Sequence, residues 1–443
     1  MLLRNLSTTI VTQFSGLFLG IITSVVINRA LLPEGKGNLA TFMVGVEMIT
    51  LFSTFGLQKA LVYEVGQNKG QRDVVANAFT ISMANGILVG LLALVAVFAT
   101  GSTLFGDLTT TAMLLAVPSA IFIALMGFLE GIVRGLNRIW HCNVAAILNR
   151  LVYLGVPLFG VITQTITLEG VIFGYMLSNL ITAAYYYFVI RGDFDGLKIL
   201  RDGFKRLFSY GLKYLLYSLV SNLHNRIDVL IIGILLTQTQ VGFYSTAVGL
   251  AQMLWNLPTA ISFVVMPHIA NKVKGDDSSL QTARIARVSL IILFVMALAL
   301  ALVAPLVISL LYGDDFLPSV PALQYLLPGI VTFSTVRILG GHLVGRGRIV
   351  ALTVVSTIIL VVNVIMNLIL IPAWGVVGAS ISSSVTYTIN AILFAWLLSQ
   401  EGYLRPIDVL LPKREDFAVL IQGLVRAVKR TNSIAKSSAK VTS

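Results

Sequence analysis

Of the 443 residues, 57% are hydrophobic and only 11% are charged, where a soluble domain averages about 45–50% apolar and about 25% charged. With a mean hydropathy of +0.90, too few ionisable side chains remain to coat a water-facing surface. That excludes a soluble enzyme, a disordered chain and a secreted disulfide scaffold. The single cysteine, Cys142, cannot form an internal disulfide. The formal net charge of +12 lies in loops and tail, and no nucleic acid is expected as a partner.

A helix needs roughly 20 apolar residues to cross a hydrocarbon core of about 30 Å. The first such stretch, from about Leu6 to Leu32, outruns the core of a signal peptide and lacks a cleavage site, so it is expected to stay. In chain order the predicted spans are about 7–32, 39–63, 75–99, 108–133, 143–163, 168–190, 207–236, 241–270, 285–311, 318–344, 349–371 and 375–399. Strand-like alternation is absent, so a barrel is not expected. Gly170 and Pro372 punctuate the short turns near Thr167 and Trp374. The fold class is therefore all-α and integral to the membrane, with about 12 transmembrane helices.

Twelve spans put both termini on one side, and Lys and Arg test this, because short cytoplasmic loops carry the positive excess. Twenty-four of the 31 fall on the terminus side, among them Arg134, Arg138, Arg191, Lys198, Arg284, Arg287, Arg346 and Arg348. The opposite loops hold Arg29 and Lys36. Both termini are therefore expected in the cytoplasm, in the cytoplasmic membrane.

The chain also repeats itself. Residues 31–48, LLPEGKGNLATFMVGVEM, resemble 235–253, LLTQTQVGFYSTAVGLAQM, with one residue inserted. Gly131, Gly135, Arg138 and Ile139 recur as Gly341, Gly345, Arg348 and Ile349, and Gly170, Val171 and Ser178 recur as Gly375, Val376 and Ser383. The same order at nearly constant offset implies two six-helix halves, 1–199 and 200–400, with a substrate path between them. A tail, 401–443, follows. Within it Phe417, Leu420, Ile421, Leu424, Val425 and Val428 recur at helical spacing among Lys and Arg, predicting an amphipathic helix over about 413–430 on the anionic leaflet.

Three stretches carry a family resemblance: DVLIIGILLTQTQVGFYSTAVGLAQMLWNLPTAISFVVMP at 228–267, a run from YGDDFLPSVPALQYLLPG to LVGRGR at 312–348, and NVIMNLILIPAWGVVGA at 363–379. They resemble the O-antigen and exopolysaccharide flippases of the multidrug/oligosaccharidyl-lipid/polysaccharide exporter superfamily. The resemblance implies a MATE-like, V-shaped, twelve-helix transporter with a central cavity opening alternately to each side. It also implies a lipid-linked oligosaccharide as cargo, moved from the inner to the outer leaflet for cell-surface polysaccharide synthesis. A monomer among membrane lipids is expected.

Charges within spans cost about 2.5–3.5 kcal/mol each on insertion scales, so each is a candidate for function. Arg226 and Arg337 come first as cavity cations for a pyrophosphate, followed by Arg29, Lys59 and Arg150, because guanidinium presents a planar fork to phosphate oxygens. The structural alternatives are as concrete. Arg29, Lys59 and Arg150 lie near span ends and could snorkel, while Glu130 and Arg134 are four apart and could pair. Arg226 and Asp228 point to different faces of one helix and need separate partners. Glu47 and Asp228 are candidates for coupling to H+ or Na+, and Glu47 could equally be a neutral packing acid. His224 and His342 lack further ligands at metal spacing and are read as polar packing or cavity lining. No GxxxxGK[ST] loop occurs, so ATP is not the direct energy source and no cofactor is expected. A cation-coupled multidrug exporter of the same superfamily is the alternative. An enzyme is disfavoured, because the predicted outer loops are all short.

Overall fold

The computed structural model describes residues 2–54, 56–68, 70–104, 108–256, 258, 277–401 and 404–418. Every regular element among them is helical, since in lipid each backbone N–H and C=O must be satisfied within its own segment. In order these are α1 (Leu2–Ser53), α2 (Leu57–Gln67), α3 (Arg72–Leu104), α4 (Thr110–Gly135), α5 (Ile139–Ile162), α6 (Leu168–Ile190), α7 (Arg201–Leu235), α8 (Gln238–Met253), α9 (Asp277–Tyr312), a 3-10 turn (Asp314–Phe316), α10 (Ser319–Gly345), α11 (Ile349–Ser399) and α12 (Pro406–Leu410). Seven of them (α1, α3, α4, α5, α9, α10 and α11) are long and apolar enough to cross a membrane. The chain is a multi-pass membrane protein.

Three predicted boundaries move. The loop expected at 33–38 is helical, and α1 instead has two arms that meet at Leu32 (φ 58°, ψ 177°). Pro33 denies Leu32 the helical region. Helix resumes at once with Pro33 in its first turn, where the missing N–H costs nothing. The predicted second span breaks at Gly56 (φ 66°) and continues as α2. Helix α11 runs through Pro372, read as a stop, and breaks at Gly375 (φ 57°, ψ −139°), a conformation open mainly to glycine. The predicted eighth span begins as α8, but most of 257–270 lies outside the described residues. So does the tail helix beyond 418, although 414–418 are helical.

Contacts group the chain into two compact units. The first draws on Met1–Leu250, Val303–Tyr325 and Ser356–Ser383. At its centre α4 packs on α2, α3 and α6, while α5 packs on α1 and α6. Phe42, Leu61, Phe128, Ile132, Ile172 and Ile190 are fully buried there. Gly86 and Gly90 lie against Leu125 and Ile121, and Gly131 and Gly135 against Gln58 and Val65, so these two GxxxG pairs serve packing inside the bundle.

The tightest approach joins the two repeated segments. A Cβ at Gly37 would overlap the carbonyl oxygen of Gln238, and one at Gly242 that of Pro33. Thr41 Oγ1 donates to Gln238 Oε1 at 2.9 Å beside them. In the same unit the connector after α6 is laced down. Arg138 forks onto Asp193 with both bonds at 2.7 Å and also donates to the Val189 carbonyl. Arg72 meets Asp195 at 2.8 Å, Lys198 meets Asp73, and the Leu200 N–H donates to the side-chain oxygen of Asn77.

The second unit draws on Ala251–Leu302, Leu326–Val355 and Ser384–Ser443. Trp255, Phe333 and Tyr387 form its aromatic centre, with ring centroids 4.6–5.9 Å apart, and the indole N–H donates to the Ile330 carbonyl. At the start of α9, Arg287 forks onto Asp416 (2.6 and 3.1 Å) and donates to the Asp408 carbonyl at 2.6 Å.

Candidate functional site

Four helices of the first unit converge on one polar site. Glu47 stands on the second arm of α1 and Arg226 on α7. Their side chains meet through two contacts, Nε to Oε2 at 2.8 Å and Nη2 to Oε1 at 3.1 Å. The Arg226 and Glu47 side chains stay 38% and 35% exposed, although both helices run among apolar spans. Tyr175 on α6 lies within electrostatic range of both. Tyr153 on α5 meets Tyr175 edge to face, with centroids 5.6 Å apart. Lys36, one turn past the α1 elbow, lies within range of Arg226 and makes no ion pair with any described residue.

Two residues beyond Arg226, Asp228 faces the other way, and each has its own partners. Asp228 is 3% exposed and accepts from Ser383 Oγ and Asn367 Nδ2, both at 2.6 Å, and from the Tyr244 hydroxyl at 2.7 Å. Asn367 also donates to Asn363, one turn away on α11. A buried carboxylate ringed by hydroxyls and amides is an oxygen-rich pocket, able to exchange a proton or take a small hard cation.

The other cations are dispersed. Arg29 donates to the carbonyls of Leu310 and Leu311 at 2.6 and 2.9 Å, satisfying orphan acceptors at the end of α9 as a C-terminal cap does. The Arg150 guanidinium rests over Gly16 of α1. Lys59 is exposed on α2. In the second unit Arg337 stacks on Trp255 at 4.3 Å and Phe333 at 5.7 Å. Glu130 and Arg134 pair at 2.6 Å, His224 is buried one turn before Asp228 on α7, and His342 sits between Thr282 (2.9 Å) and Glu401 (3.2 Å).

Lys36, Tyr153 and Tyr175 escape the sequence reading. Lys36 is assigned there to a loop, and tyrosines are common in these spans. Asn363 and Asn367 carry a usable signal: two amides one helical turn apart in an otherwise apolar stretch.

The chain is a multi-pass helical bundle that keeps a forked ion pair half-open among its helices. Its fold is that of solved transporters. It is similar to the structure "Lipid II flippase MurJ, inward closed conformation", with a TM-score of 0.70, 15% identity, and coverage of 92% of this chain and 89% of that one. An inward-facing multidrug-resistance MATE transporter of the MOP superfamily also scores 0.70, at 17% identity over 87% and 95% of the two chains. The family model described as polysaccharide biosynthesis protein matches residues 2–273, and the chain belongs to that family. Two relatives match over most of their length. A Shigella flexneri protein bearing the name O-antigen transporter is 24% identical over 402 residues, covering 84% of this chain and 91% of its own. A Haloferax volcanii protein bearing the name flippase AglR is 26% identical over 396 residues, covering 84% and 78%.

Proposed function

We propose that the protein flips a polyprenyl-pyrophosphate-linked oligosaccharide from the inner to the outer leaflet of the cytoplasmic membrane, supplying cell-surface polysaccharide synthesis. The observation that carries this reading is the part-exposed Arg226–Glu47 pair between α7 and α1, inside a bundle of helices long and apolar enough to cross a membrane. Charges inside such a bundle are tolerated where they line a polar cavity, and a glycan headgroup needs a polar route through the bilayer. The relatives' names point to the same cargo class. Both termini face the cytoplasm, the halves 1–199 and 200–400 alternate access between them, and the protein acts by carriage rather than by covalent chemistry. Arg226, Arg337, Arg29, Lys59 and Arg150 are the cationic contacts proposed for the headgroup, with Arg226 best placed. Asp228 is the site for a coupling H+ or Na+, with Glu47 second. Membrane potential is the competing drive, since two negative charges moving outward through about 100 mV release roughly 4–5 kcal/mol.

The test is flipping of a labelled polyprenyl-pyrophosphate oligosaccharide in proteoliposomes by wild type, Arg226→Ala and Arg337→Ala. Protein-dependent loss of the protected half, slowed by either substitution, supports the reading. A cation-coupled multidrug exporter is the second reading, favoured by buried Asp228. Efflux of organic cations without lipid flipping would establish it instead.

A further inference from the structure

We infer that Tyr153, Tyr175, Glu47 and Arg226 form a glycan subsite that holds a sugar ring of the cargo, while neighbouring Lys36 takes the adjacent pyrophosphate; this rests on the flippase reading. Arg226 is not a bare anion receptor. Its fork already engages Glu47 at 2.8 and 3.1 Å, so a phosphate approaching it would also face a carboxylate. What the pair offers is mixed: guanidinium N–H groups left over as donors beside carboxylate lone pairs left over as acceptors. Neighbouring sugar hydroxyls, each both donor and acceptor, match that pattern, and a phosphate does not.

The two tyrosines supply the rest. Both rings stay partly exposed, and neither hydroxyl makes a hydrogen bond to a described residue. Tyrosine joins an apolar ring to a polar tip, which suits the C–H face and hydroxyl edge of a sugar. Their edge-to-face packing sets two rings at an angle, with Tyr175 within electrostatic range of the pair. Lys36, within electrostatic range of Arg226, makes no ion pair with a described residue, and the anionic part of the cargo falls to it.

The experiment compares two lipids in proteoliposomes. One is the lipid-linked oligosaccharide pool extracted from the producing cells, with its outer-leaflet share read by impermeant periodate. The other is the bare polyprenyl pyrophosphate, read by phosphate released to an added soluble alkaline phosphatase. Tyr175→Leu and Glu47→Gln are expected to slow the glycosylated lipid by up to about tenfold, on the scale of an aromatic contact, and the bare lipid by less than about twofold. Tyr175→Phe keeps the ring and most of the rate. Lys36→Gln slows both lipids alike. Equal slowing of both lipids by Tyr175→Leu and Glu47→Gln, or no slowing of either, overturns the subsite and leaves the flippase reading standing. If wild type moves neither lipid, the flippase reading fails and the subsite with it.

Discussion

Replacing Arg287 by Ala will release residues 404–418. The side chains of Arg287 and Asp416 are 8% and 0% exposed, so solvent screens their contact little, and the same guanidinium holds the Asp408 carbonyl. Removing one partner of a buried pair typically costs about 3–5 kcal/mol, because the remaining charge is stranded; Arg284, 4.0 Å from Asp416, keeps part of the counter-charge and puts the loss at the lower end of that range. Here the stranded carboxylate can escape if its short segment lifts away. The loss is therefore expected as local opening of 404–418 rather than unfolding of the spans. At about 1.4 kcal/mol per tenfold, opening should rise roughly a hundredfold. Hydrogen exchange of the full-length protein in lipid nanodiscs reads this directly, with peptides of α9 as the internal reference. Unchanged protection of the tail, or equal loss in α9, would refute the reasoning. Acidity gives a second handle. Burial pushes the Asp416 carboxyl up, but hydrogen bonds from Arg287 and from the Lys413 backbone N–H outweigh it and hold the group below the usual carboxylate range. A carboxyl lowered by folding contributes its full stability above the unfolded value, about 3.9, and loses it as pH falls through the folded value. Residues 404–418 should stay docked at neutral and mildly acidic pH and open only in stronger acid.

Three further outcomes are expected. Gly242→Val forces side-chain atoms into the Pro33 carbonyl, an overpacking that costs about 1–3 kcal/mol and lowers the thermal midpoint in detergent. Gly249→Ala on the same helix meets open space and should not, and equal midpoints for the two variants would disprove the close approach. Asp228→Asn keeps the shape of its pocket while removing the charge, so flipping should lose its response to an imposed proton or sodium gradient; a response that persists rules out this site as the coupling group. Arg138→Ala, with a partly exposed pair worth about 1 kcal/mol, should speed tryptic cleavage after Arg191 and Lys198 about fivefold, and an unchanged rate would show that the connector is held by other contacts.

Local spacing was the part of this site legible in sequence. Residues two apart on a helix cannot share a partner, and Arg226 and Asp228 indeed take separate ones; residues four apart can, and Glu130 meets Arg134. Long-range partners were not legible. Ser383 and Asn367 reach Asp228 across 155 and 139 positions, and no period in an apolar chain encodes such a meeting. Lys36 was lost for a different reason: Pro33 marks a boundary, but a proline fits the first turn of a new helix as well as a loop. At Pro372 the same ambiguity ran the other way, since the helix absorbed the proline and Gly375, with its wider conformational range, took the break.

The approach of the two repeated segments has one more consequence. Gly37 meets Gln238, and its counterpart Gly242 meets Pro33, so each copy offers the other the same small-residue face and the same turn. That reciprocity is the mark of an isologous interface, in which one self-complementary surface appears twice about a twofold axis. A dimer of half-length chains would be joined by this contact; here one polypeptide contains both copies. Neither glycine can drift alone, because a side chain gained by either copy meets the backbone of the other.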